Sequence, residues 1–142
     1  MADFSIHETD WARDSADLSA VRRAVFIDEQ NVPESLEWDE HDATSTHLLA
    51  RAGDGAPIGC ARLLPDGHIG RMAVLPAWRG RGVGRALLAA ALEMAQAHGH
   101  RALRLSAQTH AAGFYAAAGF VVAGDGYEEA GIPHLAMSKP LG

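Results

Sequence analysis

Apolar side chains fall along this chain in two alternating rhythms. Phe4 and Ile6 alternate with polar neighbours, which predicts a first strand. The spacing then lengthens: Leu18, Val21, Arg22, Val25, Phe26 and Glu29 recur at helical intervals, predicting a helix with Ser15 as its N-cap. Pro33 ends that pattern, and residues 31–45 read as an acidic loop or short helix carrying Glu34, Glu37, Asp39, Glu40 and Asp42. Strand-like runs follow at His47–Ala52 and Pro57–Leu64, joined by Gly53-Asp54-Gly55, and again at Ile69–Leu75 after Pro65-Asp66-Gly67. These three runs predict an antiparallel meander. Val83, Leu87, Leu88, Ala91, Leu92 and Ala95 then mark a strongly amphipathic helix that Gly99 stops. Residues 102–107 alternate as a strand, 109–118 form a short alanine-rich helix ended by Gly119, and 120–123 and 134–138 close the chain as strands. The predicted fold is mixed α/β: an antiparallel meander, then strand–helix–strand–helix and closing strands.

A length of 142 residues suits a single domain spanning 1–142, and 48% hydrophobic with 21% charged residues is ordinary for a globular protein. The net charge of −6 disfavours a general nucleic-acid binder. That number hides a split: residues 1–42 carry −9, while 62–104 carry +5. The single cysteine, Cys60, allows no internal disulfide and favours a reducing cytoplasm. The opening MADFSIHETDWARD lacks the basic start and apolar run of a signal peptide, and no stretch approaches the roughly 18–20 apolar residues of a membrane helix. A cytoplasmic protein without a membrane partner is expected.

The most informative segment runs from Met72 to Arg85, where a strand ends at Pro76 and a glycine-rich turn opens the long helix. Glycines at 80, 82 and 84 clear side chains away from the backbone amides. The first turn of a helix offers unpaired N–H groups and a positive dipole end, which suits phosphate, and Arg79, Arg81 and Arg85 add charge. A Walker loop would need Lys-Ser/Thr after the last glycine, and a dinucleotide fingerprint would need glycine at Arg85. Neither nucleotide motif is present.

Arg79-x-x-Gly82-x-Gly84 resembles the Arg/Gln-x-x-Gly-x-Gly/Ala signature of the Gcn5-related N-acetyltransferase (GNAT) superfamily. Gln108-Thr109-His110-Ala111-Ala112-Gly113-Phe114-Tyr115 through Gly119-Phe120 is similar to that family's Asn-x-x-Ala-x-x-Phe-Tyr-x-x-x-Gly-Phe block, with Gln108 where many members have Asn. Val25 to Pro33 and Gly131-Ile132-Pro133-His134 further resemble the ElaA/YjcF-like branch. The resemblance covers nearly the whole chain in the same order.

It implies transfer of an acetyl group from acetyl-CoA to a primary amine by direct attack, through a tetrahedral intermediate. The amides of Gly80, Gly82, Val83 and Gly84 would hold the pyrophosphate beside Arg79, Arg81 and Arg85. The backbone of Met72, Ala73 and Val74 would pair with pantetheine, with Val74 N–H as oxyanion donor and Gln108 bonding a pantetheine amide. Tyr115 matches the family tyrosine that protonates the departing thiolate.

A lysine-like amine is only about 0.04% neutral at pH 7, so a proton acceptor is also required. Many family members place a glutamate on the fourth strand, but this chain reads Ile69-Gly70-Arg71-Met72 there. Glu29, Glu37, Asp39, His47 and His134 are the candidates for base and substrate contact. The acceptor, a small-molecule or protein amine, would be drawn by the acidic loop. Dimers are frequent in the superfamily, so a homodimer is compatible with the sequence.

Asp39-Glu40-His41-Asp42 and His98-Gly99-His100 lack the spacing of a zinc motif, so no metal is expected. Cys60, inside an apolar strand, reads as a buried inert thiol, and Trp11, Trp38 and Trp78 form no stacking array for single-stranded nucleic acid. Two other readings use the same fold: a non-catalytic acyl-CoA sensor, and a protein-interaction module built on the acidic face.

Overall fold

The computed structural model describes residues 3–141. Strand β1 (Phe4–Thr9) leads into helix α1 (Trp11–Arg22), which continues without a break as a π-helical segment over Arg23–Glu29. After the short α2 (Glu34–Glu37) come β2 (Thr46–Ala52), β3 (Pro57–Leu63) and β4 (His68–Val74). Helix α3 (Val83–Ala97), β5 (Ala102–Gln108) and α4 (Ala112–Ala117) follow, and β6 (Val121–Val122), β7 (Tyr127–Glu129) and β8 (Ile132–Pro140) complete the chain. The strands make one sheet in the order β1-β2-β3-β4-β5-β8-β6, with β7 also paired to β8. The meander and the strand–helix–strand–helix order match the expectation from sequence, while β7 had no sequence signal.

Two corrections concern local structure. The N-cap of α1 is Asp10, whose carboxylate accepts the Arg13 N–H at 2.8 Å, and not Ser15. The helix is interrupted beside the expected site, because Asp14 leaves helical geometry (φ −127°, ψ 25°) and accepts the Thr9 hydroxyl at 2.6 Å. The predicted 109–118 helix is a 3-10 turn over Thr109–Ala111 followed by α4.

The sheet is covered on two faces. Leu87, Leu88, Ala91 and Ala95 of α3 pack with Leu48, Leu63, Leu103, Leu105 and Met137 on one side. Leu18 and Val21 of α1, with Val25, pack on Leu49, Cys60 and Ala73 on the other. Period-two alternation assigns these faces along most strands, but β4 changes phase. Its pairing with β3 shifts from Arg62↔Gly70 to Cys60↔Ala73, giving β4 one extra residue, and Arg71 there has φ +48°. Such a bulge re-aims the side chains that follow it. Ile69 packs on the α3 side and Ala73 on the α1 side, although an unbroken alternation would put both on one face.

The bulge coincides with a gap in the sheet. Parallel strands β4 and β5 pair only at His68↔Arg104 and Ile69↔Leu105, whereas β5 pairs with β8 along all of Ala102–Gln108. Beyond Ile69 the two strands separate, leaving the facing edges of Gly70–Val74 and Ser106–Gln108 without a β-ladder.

Candidate active site

The opening between β4 and β5 gathers most of the residues singled out from the sequence. At its β4 end the chain turns through Pro76–Trp78 and the glycines into α3. Gly80 and Gly82 adopt φ +78° and +87°, a region that a side chain disfavours, and the place each Cβ would occupy is open. The first intrahelical bond runs from Ala86 N–H to Gly82 C=O at 3.0 Å. The amides just before Ala86 therefore have no acceptor within the helix and lie at the positive end of a 15-residue dipole. This cradle fits a pyrophosphate.

The three arginines near the turn have different positions. Arg85 is exposed on the first turn of α3, and the Arg81 guanidinium lies over the Trp78 ring, 4.9 Å from its centroid. Arg79 is already engaged: its Nε donates to Val74 C=O at 3.0 Å, and both terminal nitrogens bond Glu29 at 2.6 Å. Arg79 thus ties the turn to the end of β4 and to the π-helical segment.

Glu29 and Gln30, adjacent in sequence, reach opposite sides of the opening. Glu29 joins Arg79 on the β4 side, while the Gln30 amide oxygen accepts Gln108 Nε2 at 2.7 Å on the β5 side. The wider π-helical winding, which bonds Gln30 N–H to Val25 C=O, carries the segment across the mouth. Gln108 Oε1 lies 2.8 Å from His110 Nε2 and accepts from it in the tautomer that carries the hydrogen there.

Tyr115 approaches from the α3 face. Its ring lies edge-on to Phe114 and Phe120, and its hydroxyl points to Met72 Sδ at 3.8 Å. Burial raises the phenol above its ordinary pKa and keeps it protonated at neutral pH. On the opposite face lie Ser106, Gln108, His134 and Tyr127, linked by the pairings Gln108↔His134 and Tyr127↔His134. Ser106 and Tyr127 share a hydroxyl–hydroxyl hydrogen bond.

The other candidates lie in an ionic cluster beneath α2. Arg22, 1% exposed, donates to Glu37 at 2.8 Å and to Asp42 at 2.7 Å, with its guanidinium between the Trp11 and Trp38 rings. Arg62 bonds Asp39 at 2.8 Å and Asp42 at 3.0 Å, and Arg71 reaches Glu37 at 3.2 Å from the bulge. Burial pushes the Glu37 carboxyl above its usual range against the pull of Arg71 and Arg22. His47 is buried with Nε2 2.9 Å from Asp42 C=O, and desolvation lowers its pKa. The acids of 37–42 largely compensate internal arginines, a role that residue spacing had not indicated. Cys60 is buried and its thiol is pushed up to about 12, so it stays a thiol. Among the described residues, no group of three or more His, Cys, Asp or Glu is placed to hold a metal, and no helix is long and apolar enough to cross a membrane.

The comparisons with known proteins agree with this architecture. Residues 12–141 match the family model described as an acetyltransferase (GNAT) domain. The chain belongs to the GNAT acetyltransferase family. It is 38% identical over 127 residues to the uncharacterised N-acetyltransferase YjcF of Bacillus subtilis, covering 87% of this chain and 90% of YjcF. It is 35% identical over 132 residues to the protein ElaA of Escherichia coli, covering 87% and 86%. The crystal structure of Escherichia coli ElaA superposes with a TM-score of 0.85 over 96% of this chain and 99% of that one, at 32% identity. An acyl-CoA N-acyltransferase from Pseudomonas aeruginosa gives a TM-score of 0.87 with the same coverage and identity. Family membership makes this GNAT chain an acyl-transferring enzyme that draws on an acyl-CoA.

Proposed function

We propose that this GNAT enzyme, acting as one domain in the cytoplasm, moves an acetyl group from acetyl-CoA to a primary amine by direct attack. The observation that carries the reading is the early end of the β4–β5 ladder, with the glycine cradle at one end of the opening and Tyr115 on one face. Pantetheine carries amides that pair as a strand does, so the free edge of Met72–Val74 suits it. The same alignment puts Val74 N–H where a thioester oxygen gains negative charge. The cradle amides hold the pyrophosphate, with Arg81 and Arg85 adding charge and Arg79 fixing the turn. Gln108 keeps the mouth at its width and offers a bond to a pantetheine amide. Tyr115, neutral and aimed into the opening, donates its proton to the departing thiolate.

The amine approaches from the α1 face, opposite Tyr115. With Glu37 and Asp39 engaged by arginines, the pull on a cationic acceptor comes less from residues 34–42 than from exposed Glu128 and Glu129 of β7 and Asp125 just before it. The acceptor is a small or protein-borne amine. The acid-face interaction module is disfavoured by the same internal pairing.

The test is release of free CoA thiol from acetyl-CoA over a panel of primary amines. Turnover with at least one amine, a roughly 10²-fold slower Tyr115→Phe variant with unchanged acetyl-CoA affinity, and lost binding in Gly82→Trp are expected. Tight acetyl-CoA binding without turnover of any amine would overturn the transferase reading in favour of a sensor.

A further inference from the structure

We propose that His134 is the catalytic base that accepts the proton of the incoming ammonium, an inference that rests on the amine-transfer reading above. Three observations lead there.

The imidazole has a fixed tautomer. His134 Nδ1 lies 2.7 Å from Ile132 C=O, and a carbonyl only accepts, so Nδ1 carries the hydrogen. In the neutral ring Nε2 then carries the lone pair, and it forms no hydrogen bond among the described residues. The ring is 7% exposed and stacks on Tyr127 with centroids 6.1 Å apart, which holds its orientation.

Its position is also appropriate. His134 is the direct cross-strand partner of Gln108, one strand spacing of about 4.8 Å from the β5 edge of the opening. It lies on the face opposite Tyr115. An amine attacking a planar thioester from one face needs its acceptor there, while the acid serves the leaving sulfur.

Finally, the remaining candidates are engaged. Glu29 is held at both oxygens by Arg79, Glu37 and Asp39 by arginines, and His47 by the backbone of Asp42. The missing glutamate of β4 is thereby accounted for: Arg71 occupies the bulge, and a histidine from β8 supplies the base.

The charged and titratable groups around His134 are few. From β7, Glu129 places a carboxylate oxygen 3.8 Å from Nε2, and Tyr127 lies on the ring. From β5 the neighbour is uncharged Gln108, which bonds His110 of the following turn.

In the step, an ammonium N–H bond breaks and its proton joins Nε2. The freed lone pair attacks the thioester carbon, the C–S bond breaks, and the sulfur takes a proton from Tyr115. The second amine proton returns to the tyrosine through solvent, and His134 releases its own proton past Glu129.

The experiment measures kcat/KM with ethanolamine, glucosamine and spermidine over roughly pH 5.5–9.5, a range that brackets imidazole titration. His134→Gln should lose about 10²-fold near neutrality, keep its KM for acetyl-CoA, and recover toward the wild-type rate at high pH, where the amine deprotonates unaided. A His134→Gln enzyme with the wild-type profile, or with an equal loss at every pH, overturns the assignment. Should that variant not fold, His134→Asn, whose amide can keep the bond to Ile132 C=O, decides on the same outcomes: a loss near neutrality that recovers at high pH supports the base, and a wild-type profile or an equal loss at every pH overturns it. Acetyl-CoA binding with no wild-type turnover of any amine would overturn the transfer reading as well as the base.

Discussion

Arg79 and Glu29 stand fifty residues apart and meet in a two-pronged ion pair, with both N···O distances at 2.6 Å. The pair joins the glycine turn to the π-helical segment across the mouth of the site. It therefore bears on ligand binding more than on stability.

Glu29→Gln should cost no more than about 1 kcal/mol, since both partners are about 40% exposed, yet raise the KM for acetyl-CoA several-fold. Arg79 holds the Glu29 carboxyl below its ordinary 4.5. The pair's contribution is present above pH 4.5 and is lost as pH falls through the depressed value. Urea midpoints of the two proteins should therefore converge in that acid range, and parallel midpoints at all pH values would count against the pair.

The buried cluster should respond differently. Glu37→Ala leaves Arg22 and Arg71 facing an absent carboxylate and should cost about 3–5 kcal/mol in chemical denaturation. Glu34→Ala breaks the exposed pair with Arg23 and should leave the midpoint almost unmoved.

His47 gives a second pH dependence. Desolvation depresses its folded pKa below 6.5, so below pH 6.5 the unfolded chain binds more protons than the folded one. Stability should fall from about pH 6.5 downward until the folded imidazole is itself protonated. His47→Gln should flatten that part of the curve, measured by thermal midpoint against pH.

Gly59 is a position whose importance only packing reveals. A Cβ there would meet Ala73 O and Leu87 Cδ1 at 3.1 Å and Val83 Cγ1 at 3.2 Å. Gly59→Ala should destabilise by about 1–3 kcal/mol. By pushing the first turn of α3 away from the sheet, it should also raise the KM for acetyl-CoA.

The meander and α3 were legible because each buries one face, and burial writes its period into the sequence. The glycine cradle was legible because left-handed backbone selects glycine. Other features have no such local mark. The left-handed residue at the β4 bulge is Arg71, held by Glu37 and Leu36 rather than by a permissive residue type. The π-helical winding over Arg23–Glu29 keeps an α-like apolar spacing. Arg22 falls on the helical spacing of its apolar neighbours, but nothing local marks its place between two tryptophans and two carboxylates, and β7 is too short and polar to show alternation. The charge split was visible, but its main use, neutralising arginines inside the fold, depends on contacts distant in the chain.

With only two rungs joining β4 to β5, one edge of β4 keeps backbone groups that no strand of the sheet pairs. The backbone amides of Gly70–Val74 that face β5 should exchange hydrogen with solvent faster than those that face β3. A ligand that pairs with them should slow that exchange. Occupancy could then be read at individual amides, before any acceptor has been identified.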